Sequence, residues 1–468
     1  MRNQIDYVLI RQRYRNAIIS GKTYPSADIG SDHNPVVTKI KMKRITRRAE
    51  NTRIKITRLR EKDTKQHLTE EINETLMNIK EEVLQSTEIE NKWLLMSTKI
   101  IKSQEKILTP KSYKKKQWMT NEILELMDER RQFKNRDFTK YKEVNKQIKY
   151  KIKDAKEKWL KQQCEEIEEY QKKHDSFNTH KKIKEMTYTY RKRKPGILKD
   201  TSEKLILDTN QKLKKWTEYI NELFGDDRTE HMEIEVGDNE VLKILKTEIK
   251  TAIKNSKNGK AMGPDQIPVE TLKCMNDETL EILLDLFNQV YKTGHIPEQW
   301  LLSTFCAIPK ATNAKDCCDY RTISLISHTL KVFLKVIHGR ISRKLEEEID
   351  ESQFGFRNGL GTREALFALN VLAQRCMDMN IDIHVCYVDF EKAFDKVRHE
   401  KLVQILQAKN IDKGDLRIIT NLYWNQRSQI IVDNEKSSEM NIKRGVRQGC
   451  VMSPLLFNVY SESHIFQK

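Results

Sequence analysis

Glycine and proline are scarce, 15 and 9 in 468 residues, which excludes collagen-like and low-complexity readings. No window of 18 or more apolar residues exists, so no segment reads as membrane-spanning. Met1–Ile10 is polar and lacks the apolar stretch of a secretory signal. Cysteine is sparse and unpatterned: eight residues, at 164, 274, 306, 317, 318, 376, 386 and 450, without a CxxC spacing. Adjacent Cys317 and Cys318 are poorly placed to chelate one zinc together. The usage is that of free thiols in a reducing compartment.

What the chain has in excess is positive charge. Lys and Arg total 86 against 68 Asp and Glu, a net of +18. Residues 111–200 hold 27 basic against 15 acidic residues, and Lys39–Arg60 holds ten basic residues and one acid, Glu50. Such density attracts polyanions, because phosphate contacts release condensed counterions. It also describes a solvated helical face, and charge alone does not separate the two. The length predicts about three domains.

The middle of the chain reads as helix. From Glu61 to Ile107 apolar residues recur at three and four (Leu68, Ile72, Leu76, Ile79, Val83, Trp93, Leu94). From Ser112 to Lys173 the pattern continues through Trp118, Leu124, Met127, Phe133, Tyr141, Val144, Ile148, Ile152 and Trp159. Pro110 predicts a break between the two. Arg191–Gly196 reads as a hinge, and as a weak nuclear-targeting signal. From about Leu205 apolar residues become denser and the punctuation is that of a mixed α/β domain. Helices are expected over Glu278–Lys292 and Leu330–Ile349, and strands over Ile383–Val388 and Gln429–Val432.

Two regions carry chemistry. Near the start, Ile5-Asp6-Tyr7 precedes Ser31-Asp32-His33-Asn34-Pro35; a His flanked by carboxylates can be held in one tautomer as a proton acceptor or phosphate ligand. In the back half, Tyr387-Val388-Asp389-Phe390-Glu391-Lys392-Ala393-Phe394-Asp395 places an acid at the tip of an expected strand. Nucleotidyl transfer needs carboxylates there to hold two divalent metals, although a lone acid before a helix reads equally as an N-cap. Asp395 is six residues further on and reads as structural. Phe394, five residues after Asp389, can close off space beneath a sugar. Downstream lies Arg444-Gly445-Val446-Arg447-Gln448-Gly449-Cys450, with Pro454 opening an apolar helix. Upstream are Ile308-Pro309-Lys310, Asp319-Tyr320-Arg321-Thr322, and Gln353-Phe354-Gly355-Phe356-Arg357-Asn358-Gly359. Lys310 and Arg321 suit a triphosphate clamp.

This ordered set, opened by Asn258–Pro268 and Gly294–Trp300, resembles the reverse transcriptase of non-LTR (LINE-type) retrotransposons over about 240–468. The front pair resembles the C-terminal end of the apurinic-type endonuclease that these elements carry. The resemblance implies an α+β chain: right-hand polymerase fingers and a partial palm (236–468), preceded by a basic, mainly helical linker (44–235) and a C-terminal remnant of an endonuclease/exonuclease/phosphatase sandwich (1–43). It implies Asp389 as catalytic metal ligand, with Mg2+ as the ion. It implies Asp6, Asp32 and His33 as surviving nuclease residues, and Phe394, Lys310, Arg321, Gln448 and Gly449 as nucleotide-binding. Gln353, Gly355, Arg357 and Gly359 would line the template-primer path. RNA template, DNA primer or target DNA, and dNTPs are the implied partners, no membrane is expected, and the nucleus is the implied compartment after cytoplasmic synthesis.

Two departures qualify the expectation. Thr322 stands where the family usually has proline, which predicts a looser turn after Arg321. No Asp-Asp pair follows Asp389; the one such pair is Asp226-Asp227. The chain is therefore expected to be a piece truncated at both ends and catalytically incomplete, an RNA-directed DNA polymerase fragment or, as the alternative, a non-catalytic nucleic-acid-binding protein. Phe394 argues against a polymerase using ribonucleotides.

Overall fold

The computed structural model describes residues 7–24, 34–41, 54–109, 116, 118–133, 136–187, 198–200, 202–230, 232–237, 242–311 and 313–464. Asp6, Asp32, His33, Pro110 and Arg191–Gly196 lie outside the described residues. The chain divides into two compact units, Met1–Arg53 and Ile54–Lys468. In the first, strands β1 (Ile18–Thr23) and β2 (Val36–Ile40) pair antiparallel, with Lys22 opposite Val37.

The second unit opens with helices α1 (Lys62–Met77), α2 (Lys80–Gln85) and α3 (Ile89–Leu108). Most of the expected apolar stripe is buried: Leu68, Ile72, Leu76, Ile79, Val83 and Trp93 are within the core, whereas Leu94, next to Trp93, turns outward and is exposed. Next come α4 (Asn121–Phe133), the 35-residue α5 (Phe138–Lys172) and α6 (Ser176–Met186). The Asp137 side chain caps α5 by accepting from the amides of Thr139 and Lys140. Short strands β3 (Leu198–Lys199) and β4 (Leu205–Ile206) then lead into α7 (Thr209–Phe224).

Helices α8 (Lys246–Lys254), α9 (Val269–Leu272), α10 (Thr279–Thr293) and α11 (Glu298–Leu301) follow. Strands β5 (Leu302–Pro309) and β6 (Tyr320–Leu325) form an antiparallel pair. Then come α12 (His328–Glu346), α13 (Thr362–Asp378), α14 (His399–Ala408) and α15 (Lys413–Trp424). The chain continues through β7 (Arg427–Val432), β8 (Glu435–Lys436), β9 (Met440–Asn441) and α16 (Ser453–His464). The sheet runs β6-β5-β7-β8, with β9 also on β7. It is mixed: β5 and β7 are parallel, and the other pairings antiparallel.

Strand alternation gives the sheet two faces. Phe305, Tyr320, Ile430 and Met440 turn inward under α7, whose Leu213, Trp216, Ile220, Leu223 and Phe224 recur at helical spacing. Tyr320 meets the Trp216 ring edge-on at 5.5 Å, and Phe224 stacks on Phe305 at 5.6 Å. A separate, larger apolar cluster joins α1–α3 to α8, α10, α12, α14, α15 and α16. Both clusters cross the expected boundary at residue 236. The segments 54–108 and 209–230, read as linker, pack into the layers that carry the polymerase-like motifs, because their apolar faces bury against α10 and the sheet.

Candidate active site

The expected strand over Ile383–Val388 does not form. Residues 381–390 have no regular structure and are exposed, Asp389 among them. A strand is stabilised by its ladder partners, and among the described residues no strand pairs with this segment. Asp389 therefore sits on an open segment and not at a strand tip. After Asp389 the chain makes a single 3-10 turn, Ala393–Lys396, entered through Lys392 at a left-handed φ of 55°. The Lys392 ammonium lies over the Tyr219 ring of α7 at 5.0 Å, so a residue from the expected linker touches this motif.

The 393–398 turn and the glycine-bracketed 444–449 loop meet, although about 50 residues separate them. The Gly445 amide donates to the Val397 carbonyl and the Val446 amide to the Phe394 carbonyl, each at 2.7 Å. Gln448 Nε2 donates to Asp395 Oδ1 at 2.8 Å, and the Ser324 amide of β6 donates to the Gln448 carbonyl at 2.9 Å. Gly445 has a φ of 89°, and a Cβ there would lie 2.8 Å from the Asp395 carbonyl oxygen. The glycine permits one strand of backbone to pass against the other. Gly449, with a φ of 112°, lies against the Ser324 carbonyl in the same way.

Asp395 is buried, and burial pushes its carboxyl up to about 6, opposed by the Gln448 hydrogen bond and by the charges of Lys392 and Lys310. Arg447, two residues after Gly445, is also buried. It donates through Nε to Gln426 Oε1 and through Nη2 to the Leu301 carbonyl, both at 2.9 Å. It therefore ties the loop to β7 and the end of α11.

Lys310 and Arg321 share the open face of the β5–β6 hairpin. Ile308 is the partner of Arg321, and Lys310 lies two residues beyond Ile308, so all three point the same way. The Lys310 ammonium donates to the Cys318 carbonyl at 2.9 Å, and Arg321 is exposed. Thr322, expected to loosen a turn, is a buried mid-strand residue opposite Ala307. It forms ordinary strand because a β-branched residue suits the pleat.

The Gln353–Gly359 loop reaches the same place from the other side. Gln353 Nε2 contacts the Gly355 carbonyl and Asn458 Oδ1 at 3.3 Å, and Asn458 Nδ2 donates to the Gly355 carbonyl at 2.9 Å. Arg357 donates to the Asp350 carbonyl at 3.0 Å, and Gly359 takes a φ of 78°. Three rings then join three motifs: Phe394 stacks on Phe457 of α16 at 4.9 Å and meets Phe356 edge-on at 5.7 Å.

Sequence reasoning missed one anchor. Arg228 donates to His399 Nδ1, to the Tyr423 carbonyl at 3.0 Å and to the Trp424 carbonyl at 2.8 Å. An arginine only donates, so His399 accepts at Nδ1, and its Nε2–H donates to the Gly445 carbonyl at 2.8 Å. Burial pushes the His399 imidazole down to about 3, which keeps it neutral. No local motif marks Arg228; the nearest sequence signal is the Gly225 that ends α7.

Two divalent cations need several anionic ligands around them. Among the described residues no three His, Cys, Asp or Glu side chains converge to hold a metal, and Asp389 is solvent-exposed. These residues do not by themselves make a two-cation site.

Residues 308–467 match the reverse transcriptase (RNA-dependent DNA polymerase) family. The chain is 29% identical over 218 residues to the RNA-directed DNA polymerase from mobile element jockey of Drosophila melanogaster, 46% of this chain and 24% of that protein. It is 30% identical over 217 residues to the probable RNA-directed DNA polymerase from transposon X-element of the same species, again 46% and 24%. To the corresponding protein of transposon BS it is 27% identical, with the same shares. The chain thus spans about a quarter of the length of these relatives. Residues 308–467 are a reverse transcriptase segment of the non-LTR, LINE-type retrotransposon kind.

Proposed function

We propose that the chain is part of an RNA-directed DNA polymerase that copies an RNA template onto a DNA primer, and that by itself it binds nucleic acid without extending it. The observation that carries the reading is the meeting of the 393–398 turn with the 444–449 loop, joined to the Gln353–Gly359 loop and α16 through the Phe356–Phe394–Phe457 rings. In this reading Lys310 and Arg321 take the triphosphate of a dNTP, since both project cations from one strand face. Phe394, held by Phe457, walls the sugar. Gln448 and Gly449 face template and incoming nucleotide, and Gln353, Gly355, Arg357 and Gly359 support the template-primer.

Asp389 is the proposed metal ligand and Mg2+ the proposed ion. The described carboxylates are too few around Asp389 for the reaction to proceed on this chain alone. Residues 1–43, with Asp6, Asp32 and His33, are proposed as the end of an endonuclease domain, and 44–235 as the basic region joining it to the polymerase. The nucleus is the proposed site of action, where target DNA lies. Among the described residues no helix is long and apolar enough to cross a membrane.

The test is a pair of assays on the purified 468-residue chain. Binding to a labelled RNA–DNA primer-template is expected, weakening steeply between 50 and 200 mM salt as phosphate contacts dictate. No extension with dNTPs and Mg2+ is expected. Measurable primer extension overturns the second half of the reading, and absence of binding overturns the first.

A further inference from the structure

Helix α5 lies outside the matched segment 308–467, and its charge is polarised along its length. Residues 138–161 hold nine lysines and three acids, whereas 162–172 hold four acids and one lysine. Lys142, Lys146, Lys149, Lys153 and Lys156 recur at intervals of four, three, four and three. At 100° per residue they form one straight stripe, about 21 Å long at 1.5 Å per residue. The apolar residues Val144 and Ile148 lie on another face and are buried, where α5 packs with α4.

The two end lysines have aromatic neighbours: Lys142 lies over Phe138 at 4.5 Å and Lys156 over Trp118 at 5.1 Å. The three between them, Lys146, Lys149 and Lys153, are exposed and have no carboxylate partner among the described residues. Two lysines off the stripe are paired, Lys151 with Glu122 and Lys158 with Asp154. Like charges three and four apart repel on a helix surface. An unpaired lysine row therefore leaves a repulsion that an external polyanion would relieve. Tyr150, four residues after Lys146 and three before Lys153, is 75% exposed beside the row. An exposed ring next to a cationic track is what a stacked, unpaired base requires.

We propose that this stripe is a phosphate track for single-stranded nucleic acid, with Tyr150 as a stacking platform. The assignment rests on the nucleic-acid-binding reading above and locates it on a helix outside the polymerase motifs. A membrane surface is the poorer fit, because a helix lying in lipid needs a free apolar face, and that of α5 is covered by α4.

The test is fluorescence anisotropy of the full chain with a labelled 20-nucleotide oligo(U), over a salt titration. Lys146→Gln/Lys149→Gln/Lys153→Gln should retain the wild-type circular dichroism, since Gln is a good helix former at exposed positions. Its plot of log affinity against log salt should be shallower by about 2, three single-strand phosphate contacts at about 0.7 each. Tyr150→Ala should weaken oligo(U) binding several-fold while leaving duplex binding unchanged. Lys62→Gln/Lys65→Gln/Lys102→Gln makes the same charge change on exposed lysines elsewhere and should leave the slope within about 1 of wild type.

If the wild-type chain binds no oligonucleotide, the broader nucleic-acid reading fails. If it binds and the stripe variant keeps the wild-type slope, the stripe alone is refuted. Equal losses in the control variant, or loss confined to phosphatidylserine vesicles, also overturn the stripe.

Discussion

Asp395 and His399 stand four residues apart, and burial opposes the charge of both, pushing the carboxyl up to about 6 and the imidazole down to about 3. Each holds the 444–449 loop, Asp395 through Gln448 and His399 through the Gly445 carbonyl. For Asp395 the sign of the pH dependence is fixed. Its folded carboxyl binds a proton more tightly than the unfolded one near 3.9, so its contribution to stability falls as pH rises from about 4 to 6 and is flat above. Asp395→Asn keeps an acceptor for Gln448 and removes the buried charge. It should stabilise the chain by about 2 kcal/mol at pH 7.5, a gain that shrinks to nothing near pH 4. Urea unfolding of both proteins at pH 4, 5 and 7.5 measures this; equal stabilities at pH 7.5 would refute the buried-charge argument.

At the scale of elements, α13 and the segment after it stand apart. α13 has no buried residue, although Leu366, Phe367, Val371, Leu372 and Met377 lie along it, each 43 to 75% exposed. The following Ile383, Val385, Tyr387 and Val388 are exposed as well. The sequence reads the segment after this helix as strand, then acid. The strand does not form, because backbone pairing and not apolar content makes a strand. Exposed apolar residues contribute little to a chain's own stability and promote association. Leu366→Glu/Phe367→Glu should change the unfolding free energy by less than about 0.5 kcal/mol and raise the concentration at which light scattering detects aggregates. A loss of several kcal/mol would mean that this face is packed in solution.

At the scale of the whole molecule, the helices ahead of the polymerase motifs and the motifs themselves share one apolar core. Trp93 of α3 meets Trp300 edge-on at 5.2 Å, and its Nε1–H donates to Gln299 Oε1 at 2.6 Å. Lys92, buried beside it, pairs with Asp285 of α10 at 2.6 Å. Trp300 in turn contacts Phe287 and Phe333. Trp93→Ala should cost about 3–5 kcal/mol, the usual range for truncating a buried aromatic. The loss should appear in the same unfolding transition as the polymerase segment, followed by the fluorescence of the remaining tryptophans. A separate early transition confined to α1–α3 would show that the layers fold independently.

The sequence by itself determined the helical stripe of α1–α3, the α10, α12 and β7 elements to within a few residues, and the reverse transcriptase kind of the back half. Those follow from periodicity and from ordered local motifs, which neighbouring residues carry. Only the tertiary structure decided that Gln448 reaches Asp395, that Arg228 holds His399, and that Phe356, Phe394 and Phe457 meet. Each of these contacts joins residues dozens to hundreds of positions apart, and no spacing along the chain encodes them. The strand expected before Asp389 marks the same divide. Its residues suit a strand, but a ladder partner is a property of the fold, and among the described residues none pairs with it.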